Sequence, residues 1–316
     1  MISKMFSKIV KLITNPKTRF NFLNEKGIYS LLPDKVFLKK AFKANLGHCL
    51  NLDNPKTFNE KLQWLKLYNH KPEYTIMVDK ILAKEYVSNI IGKEYIIPTL
   101  AVWENEKKIN FDTLPNQFVL KCNHNSSLGI CICKDKNKID EKQVRKKLKR
   151  GLKQDYYLLY REWPYKNVKR RIIAEKFMED ETSDDMVEGL TDYKFYCFNG
   201  EPKFLYVAKA NFVNDVKNDL LMHYNLNWEK TPFQRNDHGK LPYDVYKPVN
   251  FEKMIEFSKK LSENIPFLRV DWYEINKKLY FGEMTFFPGA GFAVFEPDEW
   301  NEKIGNMIKL PINTNA

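Results

Sequence analysis

The stretch that decides the fold is LRVDWYEINKKLYFGEMTFFPGAG, residues 268–291. Two apolar and aromatic runs, Leu268 to Tyr273 and Leu279 to Phe287, flank the turn-prone triplet Asn276-Lys277-Lys278, which predicts a β-hairpin with a short loop. Side chains alternate between the two faces of a strand, so the register of this hairpin decides which residues share a face. A loop one residue shorter or longer would turn the side chains of one strand to the opposite face.

The expected register sets two acidic residues opposite each other. If the loop centres on Lys277, Asp271 faces Glu283 and Arg269 faces Thr285, and all four side chains project from one face of the sheet. Carboxylates directly opposite each other destabilise a sheet, so a cation is expected between them. Mg²⁺ with bound phosphates is the usual partner of one or two carboxylates and is one interpretation of the pair. The other is two ordinary strand carboxylates that Arg269 or nearby lysines neutralise.

The composition describes a globular protein. The chain has 316 residues, of which 43% are hydrophobic and 14% aromatic, so it can bury a sizeable core in one large domain or two smaller ones. No run approaches 18 consecutive apolar residues and no apolar segment with a small-residue cleavage site opens the chain, so we expect neither a spanning helix nor a secretory signal, and a cytoplasmic location. The five cysteines lack paired spacing and are expected to be small buried hydrophobes.

The net charge of +12 indicates an anionic partner: nucleotide phosphates, acidic polysaccharide, anionic lipid or nucleic acid. Of the 52 basic residues eight are arginine, which leaves 44 lysines. Proteins that read nucleic acid usually carry more arginine, because its planar fork suits phosphates and base edges. We therefore expect no nucleic-acid partner.

The first thirteen residues, MISKMFSKIVKLI, predict an amphipathic helix. Its apolar face carries Met5, Phe6 and Ile9, and its other face carries Lys4 and Lys8. Such a helix suits peripheral contact with an anionic membrane surface, at the inner face of the membrane. The same pattern suits a helix packed on the body of the protein or used in oligomer contact.

Residues 117–134, QFVLKCNHNSSLGICICK, predict a strand, a polar loop and a second strand. The loop from Asn123 to Gly129 has small residues and a glycine, so its backbone N–H groups could approach a phosphate, with Lys121 at its edge to neutralise charge. A solvated turn is the alternative. His124 in the same loop is either a base or a hydrogen-bond partner.

Other elements follow from caps and turns. Thr57 and Glu60 have capping-box spacing, which predicts a helix that begins at Phe58. A second helix is predicted from about Val78 to Ile91, with Asp79 and Lys80 in its first turn. Further predictions are a Lys-rich helix at 139–152, a strand in RIIAEKFMED at 171–180, a hairpin around Asn199-Gly200 and a helix at 251–261. The aromatic and basic passage 155–171 either stacks on sugars or bases or covers the sheet.

Taken in order, these segments resemble the ATP-grasp superfamily. They are Asp79-Lys80 at the start of a helix, the strand FVLKCNH with its Asn/Ser/Gly loop, the strand IIAEKFM, and finally RVD, GEMT and PGAG. Four sequence segments resemble the TupA-like branch, which is named for a teichuronopeptide biosynthesis protein. They are TFNEKLQWLK, REWPYKN, DYKFYCFNGEP and GEMTFFPGAGF. The resemblance covers roughly residues 30–310.

The resemblance implies an α+β fold of the ATP-grasp type, in which two α+β subdomains with mainly antiparallel sheets enclose the nucleotide. Residues 1–55 would form an N-terminal basic helical extension and residues 56–316 the catalytic region. Within that region the expected parts are an N-terminal part at 56–115, a lid subdomain at 116–178 and a metal-binding subdomain at 179–316.

The resemblance also implies an ATP site. Lys80 and Lys121 match two lysines that contact the ATP phosphates. The 123–129 loop matches the flexible loop that closes over the phosphates, through Asn123, Ser126, Ser127 and Gly129. The segment that meets adenine matches Glu175, Lys176 and Met178, with the backbone of the last two reading the ring edge.

A metal site and catalytic cations are implied beside it. Asp271 and Glu283 match acids that bind one or two Mg²⁺ ions. Thr285 stands where many relatives place an Asn ligand, and a neutral hydroxyl binds Mg²⁺ more weakly. Arg269 matches an arginine that stabilises the transferred phosphoryl group or acyl phosphate, and Lys121 has a share in the same task.

The substrate site is implied by two further motifs. Pro288-Gly289-Ala290-Gly291 matches the turn whose backbone amides approach the acyl intermediate. Asp192 and Lys194 belong to the pattern of the branch, and Lys194 is assigned to a phosphate or a substrate carboxylate.

The implied activity is an ATP-dependent carboxylate–amine ligase that forms an amide through an acyl phosphate, with ADP and phosphate as products. The branch name points to a uronic acid or related carboxylate in cell-surface polysaccharide biosynthesis. Two rival functions stay open: a metal-dependent glycosyltransferase of the same biosynthesis, which predicts a parallel sheet, and a non-enzymatic protein that binds polyanions or membrane through its lysines.

Overall fold

The computed structural model describes residues 10, 12–126, 128–180, 189–209, 212–213, 216–217 and 219–311. The amphipathic helix predicted for residues 1–13 lies almost wholly outside the described residues and stays a prediction. No described helix is long and apolar enough to cross a membrane.

Nine α-helices of five residues or more are described within these ranges. They are α1 Pro16–Glu25, α2 Asp34–Leu46, α3 Phe58–Tyr68, α4 Pro72–Val78, α5 Leu82–Ile91, α6 Glu141–Lys153, α7 Tyr156–Tyr160, α8 Phe251–Leu261 and α9 Glu299–Asn306. The start of α3 at Phe58 confirms the prediction, and both hydrogen bonds of the Thr57–Glu60 capping box are present.

Four strands form one antiparallel sheet in the order β1-β4-β2-β3. They are β1 Thr99–Trp103, β2 Phe118–Cys122, β3 Ile130–Cys133 and β4 Ile172–Lys176. Helix α6 packs on this sheet, and a separate apolar cluster lies between them, with members such as Leu120, Val144 and Leu148. This unit is called the small sheet below.

Six strands form a larger sheet in the order β11-β9-β6-β5-β12-β13. They are β5 Asp192–Phe198, β6 Glu201–Lys209, β9 Leu220–Asn225, β11 Gly239–Lys240, β12 Phe267–Ile275 and β13 Lys278–Thr285. Apart from the parallel pairing of β11 with β9, every pairing within it is antiparallel. Four short strands pair outside both sheets: β7 Phe212–Val213 with β8 Val216–Lys217, and β10 Gln234–Arg235 with β14 Phe295–Glu296. The mixture of helices with mainly antiparallel sheets confirms the α+β expectation.

The hairpin of β12 and β13 has the expected register by an unexpected route. Its loop has two residues, Asn276 and Lys277, which both have positive φ as a type I′ turn requires, and not the three residues predicted. A β-bulge then adds Gly282 to β13, so the register shifts by one residue and Asp271 pairs with Glu283. The shorter loop alone would have turned Glu283 away from Asp271, and the bulge turns it back.

The helix predicted over Val78–Ile91 is wrong at its beginning. In the structure α4 ends at Val78 and α5 begins at Leu82, and Asp79 and Lys80 lie in a turn between them. The Asp79 carboxylate accepts the N–H of Ile81 at 2.8 Å, and its other oxygen accepts a bond from Arg171 at 3.1 Å. Because this side chain satisfies the backbone at the turn, the chain changes direction there.

One main apolar core lies between the larger sheet and the helices that cover it. Its members come from many parts of the chain, the first being Phe20 and the last Ile308. Phe20, Phe37 and Phe42 of α1 and α2 belong to that core. The N-terminal helices therefore pack into the main body. The boundaries predicted for the domains stay predictions.

Candidate active site

Asp271 lies at the centre of an ion-pair cluster on the larger sheet. Its side chain is fully buried, and Arg269 donates to both of its oxygens, at 2.7 and 2.6 Å. Lys194, opposite Asp271 on the neighbouring β5, donates at 2.6 Å. The cations expected near the acid pair are therefore present as side chains of this sheet.

The three predicted metal ligands converge on one cationic atom. Arg269 Nη2 donates to Asp271 Oδ2 at 2.6 Å, to Glu283 Oε1 at 3.2 Å and to Thr285 Oγ1 at 2.9 Å. Two carboxylates and a hydroxyl thus point at the same position, and a cation already sits there.

Glu283 lies at the rim of this cluster. Lys80 Nζ lies 3.3 Å from its other oxygen, and 35% of its side-chain surface is exposed. Burial opposes its ionisation, but Lys80, Arg269 and Lys194 outweigh that effect and hold its pKa well below the usual carboxyl range. Glu283 is therefore an ionised acid that faces open space, unlike Asp271 behind it.

Lys194 links Asp271 to Asp192. Its ammonium lies 2.6 Å from Asp271 and 3.3 Å from Asp192. Burial would lower its pKa, but the two carboxylates raise the pKa above the usual lysine value. Lys194 is thus a permanent positive charge, and it is only 12% exposed at its side chain.

A second ion-pair cluster lies on the small sheet. The Glu175 carboxylate on β4 meets Lys121 at 2.5 Å and Lys84 at 2.6 Å. Burial alone would raise the pKa of Glu175, and the two lysines outweigh it and lower that pKa. Burial lowers the pKa of Lys84. Lys84 was not predicted from the sequence, where it is one of two lysines on a predicted helix.

The two clusters face a common narrow cleft of about 590 Å³. Its charged lining comes from both sheets, from the turn before α5 and from α5 itself: Lys80, Lys84, Lys121, Glu175 and Glu283. Its apolar lining includes Ile96, Ile97, Phe281 and Met284. Apolar side chains together with three lysines suit a planar ring with attached phosphates.

A wide cleft of about 1290 Å³ adjoins the narrow cleft, because Glu283 lines both. Arg269 and Thr285 of the larger sheet line it, as do Pro288 and Gly289 of the turn that follows β13. Helix α7 and the segment after it contribute aromatic and acidic side chains: Tyr156, Tyr160, Glu162 and Tyr165. Pro288 and Gly289 were predicted from the sequence as substrate residues, and Glu162 was not.

Gly291 does not line either cleft. A Cβ there would lie 2.5 Å from Gln63 Nε2 and 3.2 Å from Leu62 Cβ, so the glycine permits α3 to pack closely. Its carbonyl accepts bonds from Asn59 and Gln63, each at 3.0 Å. Gly291 therefore anchors the turn to α3, while Pro288 and Gly289 of the same turn line the wide cleft.

The residues of the 123–129 loop have different surroundings. Asn123 is fully buried, and its side chain bonds to the backbone of Lys169 and Arg171 at 2.9 and 2.7 Å, so it braces the loop. Gly129 has φ of +78°, and a Cβ there would lie 2.7 Å from Cys122 Sγ. Ser126 lines the wide cleft, and Ser127 lies outside the described residues. Of the loop residues named above that the structure describes, Ser126 alone lines a cleft.

The segment predicted to meet adenine leaves β4 beside the narrow cleft. Lys176 is exposed, and its N–H donates to Pro98 O at 3.0 Å, which ties the segment to the chain before β1. Met178 follows two residues later and is half-buried. Neither side chain lines a cleft, which is compatible with a role for their backbone.

The residues present fit a metal ion that is bound together with phosphates. Among the described residues no group of three or more His, Cys, Asp and Glu side chains is arranged to hold a metal. Asp271 and Glu283 with Thr285 offer two carboxylates and a hydroxyl, and Mg²⁺ usually takes one or two carboxylates and completes its shell with phosphates and water. The convergence of the three oxygens on a cationic nitrogen is the observation that supports the fit.

The chain matches a known protein family over most of its length. A family model described as TupA-like ATPgrasp matches residues 60–309. A comparison with curated proteins gives no match.

Several solved structures are similar in fold at low identity. A D-alanine–D-alanine ligase from Helicobacter pylori is 17% identical, with a TM-score of 0.41, over 82% of this chain and 70% of its own. The corresponding ligase from Bacillus anthracis is 14% identical, with a TM-score of 0.39, over 80% and 69%. The ATP-grasp ligase PsnB, complexed with a precursor variant, Mg and ADP, is 7% identical, with a TM-score of 0.42, over 89% and 71%. At these values the likeness does not bear on the substrate of this chain.

Proposed function

Because the chain belongs to the TupA-like ATP-grasp family, we propose that it is an ATP-dependent ligase that joins a carboxylate to an amine. The observation that carries the proposal is the position of Glu283. It lines both clefts and shares one cation with Asp271 and Thr285, so a phosphate in the narrow cleft would meet an acceptor in the wide cleft beside it.

The narrow cleft is assigned to the nucleotide. Lys80, Lys84 and Lys121 would neutralise its phosphates, and Glu175 holds the last two lysines in place through contacts of 2.6 and 2.5 Å. The apolar side of the cleft would take adenine. Positioning and charge neutralisation are the main requirements of phosphoryl transfer, so no dedicated nucleophile of the protein is needed.

Asp271, Glu283 and Thr285 are the residues that would hold Mg²⁺, as one ion or two. When bound, the metal neutralises phosphate charge and orients the transferred group. Lys194 and Arg269 supply fixed positive charge behind these ligands.

The wide cleft is assigned to the carboxylate and the amine. ATP supplies the phosphoryl group that activates the carboxylate as an acyl phosphate, and the amine then displaces phosphate to give the amide. Arg269 is placed to stabilise the charge of the activated carboxyl group, and the turn at Pro288 and Gly289 shapes the wall beside it. Enclosure of this step protects the activated group from water.

The proposed carboxylate is a uronic acid of a cell-surface polysaccharide. The size of the wide cleft and the tyrosines on its wall, Tyr156, Tyr160 and Tyr165, support a sugar substrate, since aromatic rings pack on apolar faces of sugars. The demand for ATP favours a cytoplasmic location, and the cationic residues of the N-terminus favour contact with the inner membrane surface over contact with nucleic acid.

The test is the formation of a hydroxamate. Wild-type protein is incubated with Mg-ATP, glucuronate and hydroxylamine, an amine that traps activated carboxyl groups, and the hydroxamate and ADP are measured together. We expect equal amounts of both products, dependent on glucuronate. Formation of AMP in place of ADP, or no hydroxamate with a panel of uronic acids, would contradict the proposal.

The matched variants are Glu283→Gln and Glu256→Gln. Glu256 lies on the exposed face of α8 and pairs with Lys260 at 2.7 Å, so its amide should leave the rate unchanged. Glu283→Gln should lower the rate by at least about 100-fold, as losses of charge-stabilising groups do. A protein that instead binds polyanions without catalysis would keep its function in both variants and lose it at high salt.

A further inference from the structure

Glu162 is an acidic residue in the wide cleft that the proposed roles leave unused. It is 5% exposed, and it lines the same cleft as Arg269 and Thr285. Among the described residues, no hydrogen bond and no ion pair within 4.0 Å involves its carboxylate. A buried carboxylate is costly unless something compensates it, so its position against an open cleft points to a ligand.

Lys66 is the cation that most favours the charged form of Glu162, but its hydrogen bonds go to other groups. Its ammonium donates to Tyr160 O at 3.0 Å and to Ala290 O at 2.8 Å. It also lies over the rings of Phe287 and Phe292, at 5.5 and 5.2 Å from their centres. Lys66 thus holds the glycine-rich turn and does not bond to Glu162.

We propose that Glu162 binds the ammonium group of the amine substrate and accepts its proton. The inference rests on the proposed ligase function and identifies the group that serves its second half-reaction. A primary amine arrives mostly as an ammonium ion, which has no lone pair to attack a carbonyl carbon. Proton transfer to the Glu162 carboxylate frees the nitrogen lone pair, and the C–N bond forms. The bond from carbon to the phosphate oxygen breaks with its electron pair on phosphate, and the phosphate takes the second proton from the nitrogen. Glu162 then releases its proton to solvent.

The charges that line the wide cleft agree with this division. Arg269 on β12 would meet the anionic carboxyl substrate, and Glu162, on the segment after α7, is an acidic group that lines the same cleft. A cation and an anion from different elements of one cleft orient two substrates of opposite charge. Burial raises the pKa of Glu162 to about 7, against the attraction of Lys66 and Arg269 for its charged form. A base whose pKa lies near the working pH is efficient in proton transfer.

Several titratable groups face Glu162 from the elements packed around it and would share in any pH profile. They are Lys66 on α3, Tyr156 and Tyr160 on α7, Tyr165 on the following turn, and Arg269 on β12. Burial raises the pKa values of the three tyrosines, so they stay neutral through the range in which Glu162 titrates. Burial lowers the pKa of Lys66 to about 7, whereas its two carbonyl acceptors and two aromatic rings favour the ammonium form.

The experiment compares two amines in the Mg-ATP and glucuronate reaction. Methylamine is almost wholly protonated at neutral pH and needs a base, whereas hydroxylamine is mostly unprotonated and needs none. In Glu162→Gln we expect kcat/KM for methylamine to fall by about 100-fold or more and that for hydroxylamine to change by less than about threefold. In the wild type, the methylamine rate should rise with pH through the titration of Glu162 and level off above it, whereas the free-amine fraction goes on rising.

The variant Glu162→Asp guards against loss of the fold, because it keeps a carboxylate at this position on a shorter side chain. It should lose less of the methylamine rate than Glu162→Gln and keep the hydroxylamine rate. Equal rates with methylamine in wild type and both variants, or an equal fall with both amines in a folded variant, would overturn the role of Glu162. A wild type that is inactive with both amines would overturn the ligase proposal itself, and the inference with it.

Discussion

At the scale of single residues, Asp271 and Glu283 face each other but occupy different surroundings. Asp271 is fully buried between Arg269 and Lys194, whereas Glu283 keeps 35% of its side chain exposed at the junction of the clefts. A buried charge pair is costly to break because the partner charges stay buried, and a rim pair is not. Asp271 should therefore contribute more to stability than Glu283, in addition to its proposed role towards the metal.

Asp271→Asn is expected to lower the free energy of unfolding by about 3 kcal/mol, since it leaves Arg269 and Lys194 without their main counter-charge. Glu283→Gln should lower it by about 1 kcal/mol or less. Urea unfolding of both variants at neutral pH measures the difference. Equal losses would show that the burial of Asp271 has no energetic consequence.

His223 on β9 gives the protein an acid sensitivity. It is 3% exposed and packs against Tyr206, Phe233 and Phe295, and burial lowers its pKa from 6.5 to about 3. The unfolded chain binds a proton below about pH 6.5 and the folded chain does not, so the stability from the neutral ring is present above that pH and is lost as the pH falls towards about 3.

His223→Phe should remove this contribution. From about pH 7 to about pH 5 the wild type should lose about 2 kcal/mol more unfolding free energy than the variant, by proton linkage at this one site. Urea titrations of both proteins at the two pH values measure the difference. A variant that loses as much stability as the wild type would assign the acid sensitivity to other groups.

Sequence rules predicted the acid pair and missed two other charged residues of the clefts. Strand alternation alone places Arg269 and Asp271 on one face, because that pattern is local, whereas the position of Glu283 depends on the register of the hairpin. Lys84 and Glu162 lie on segments whose periodicity gives no hint of what they face. Their roles depend on how α5 and the segment after α7 are placed against the sheets, which local pattern does not determine.

At the scale of elements, the β12–β13 hairpin depends on Gly282. A Cβ at this position would lie 3.0 Å from Asp271 O and 3.1 Å from the Tyr273 ring, so the bulge is built for a residue without a side chain. The two-residue turn was within reach of sequence rules, but the bulge was not, since a glycine inside a strand predicts a bulge without giving its register. The predicted register was right because the longer loop and the missed bulge offset each other.

Gly282→Ala should displace β13 locally and move Glu283 away from its partners. We expect a loss of about 1–3 kcal/mol in unfolding free energy from overpacking, with at least a tenfold weaker affinity for Mg-ATP. Calorimetric titration and urea unfolding measure the two effects.

The control for this variant is Gly200→Ala. Gly200 lies in the turn of the β5–β6 hairpin with φ of +85°, so alanine there costs about 1–2 kcal/mol of backbone strain. Its affinity for Mg-ATP should equal that of the wild type. The same affinity in all three proteins would mean that the bulge does not position Glu283 for the nucleotide.

At the scale of the whole molecule, Arg161 joins the N-terminal helices to the wide cleft. Its side chain is 1% exposed, pairs with Asp34 at 3.1 Å and donates to the carbonyls of Tyr29, Ser30 and Leu32. The next residue is Glu162, so the link between α1 and α2 fixes the segment that carries it. The resemblance implied a basic helical extension at residues 1–55, and its boundary stays a prediction because composition shows charge and not packing partners.

Arg161→Met should lower the free energy of unfolding by about 3 kcal/mol, because it leaves buried carbonyls and Asp34 without their donor. The matched control, Arg170→Met, removes an exposed arginine that pairs with Asp155 at 2.9 Å, and should cost less than about 1 kcal/mol. Limited proteolysis should cleave residues 26–34 faster in Arg161→Met alone. Equal stability of the two variants would mean that α1 and α2 are dispensable for the fold.

The central claim is that the cleft between the two sheets binds an adenine nucleotide with Mg²⁺ through Glu283. The measurement is thermal unfolding of wild type and Glu283→Gln with ATP or GTP, each with Mg²⁺ or with a chelator. At ~100 times the dissociation constant, Mg-ATP should stabilise the wild type by about 2.7 kcal/mol, and GTP, metal-free ATP and the variant should each give a smaller shift. No shift with any adenine nucleotide, together with a shift on adding a uridine sugar nucleotide, would contradict the ligase and favour the glycosyltransferase.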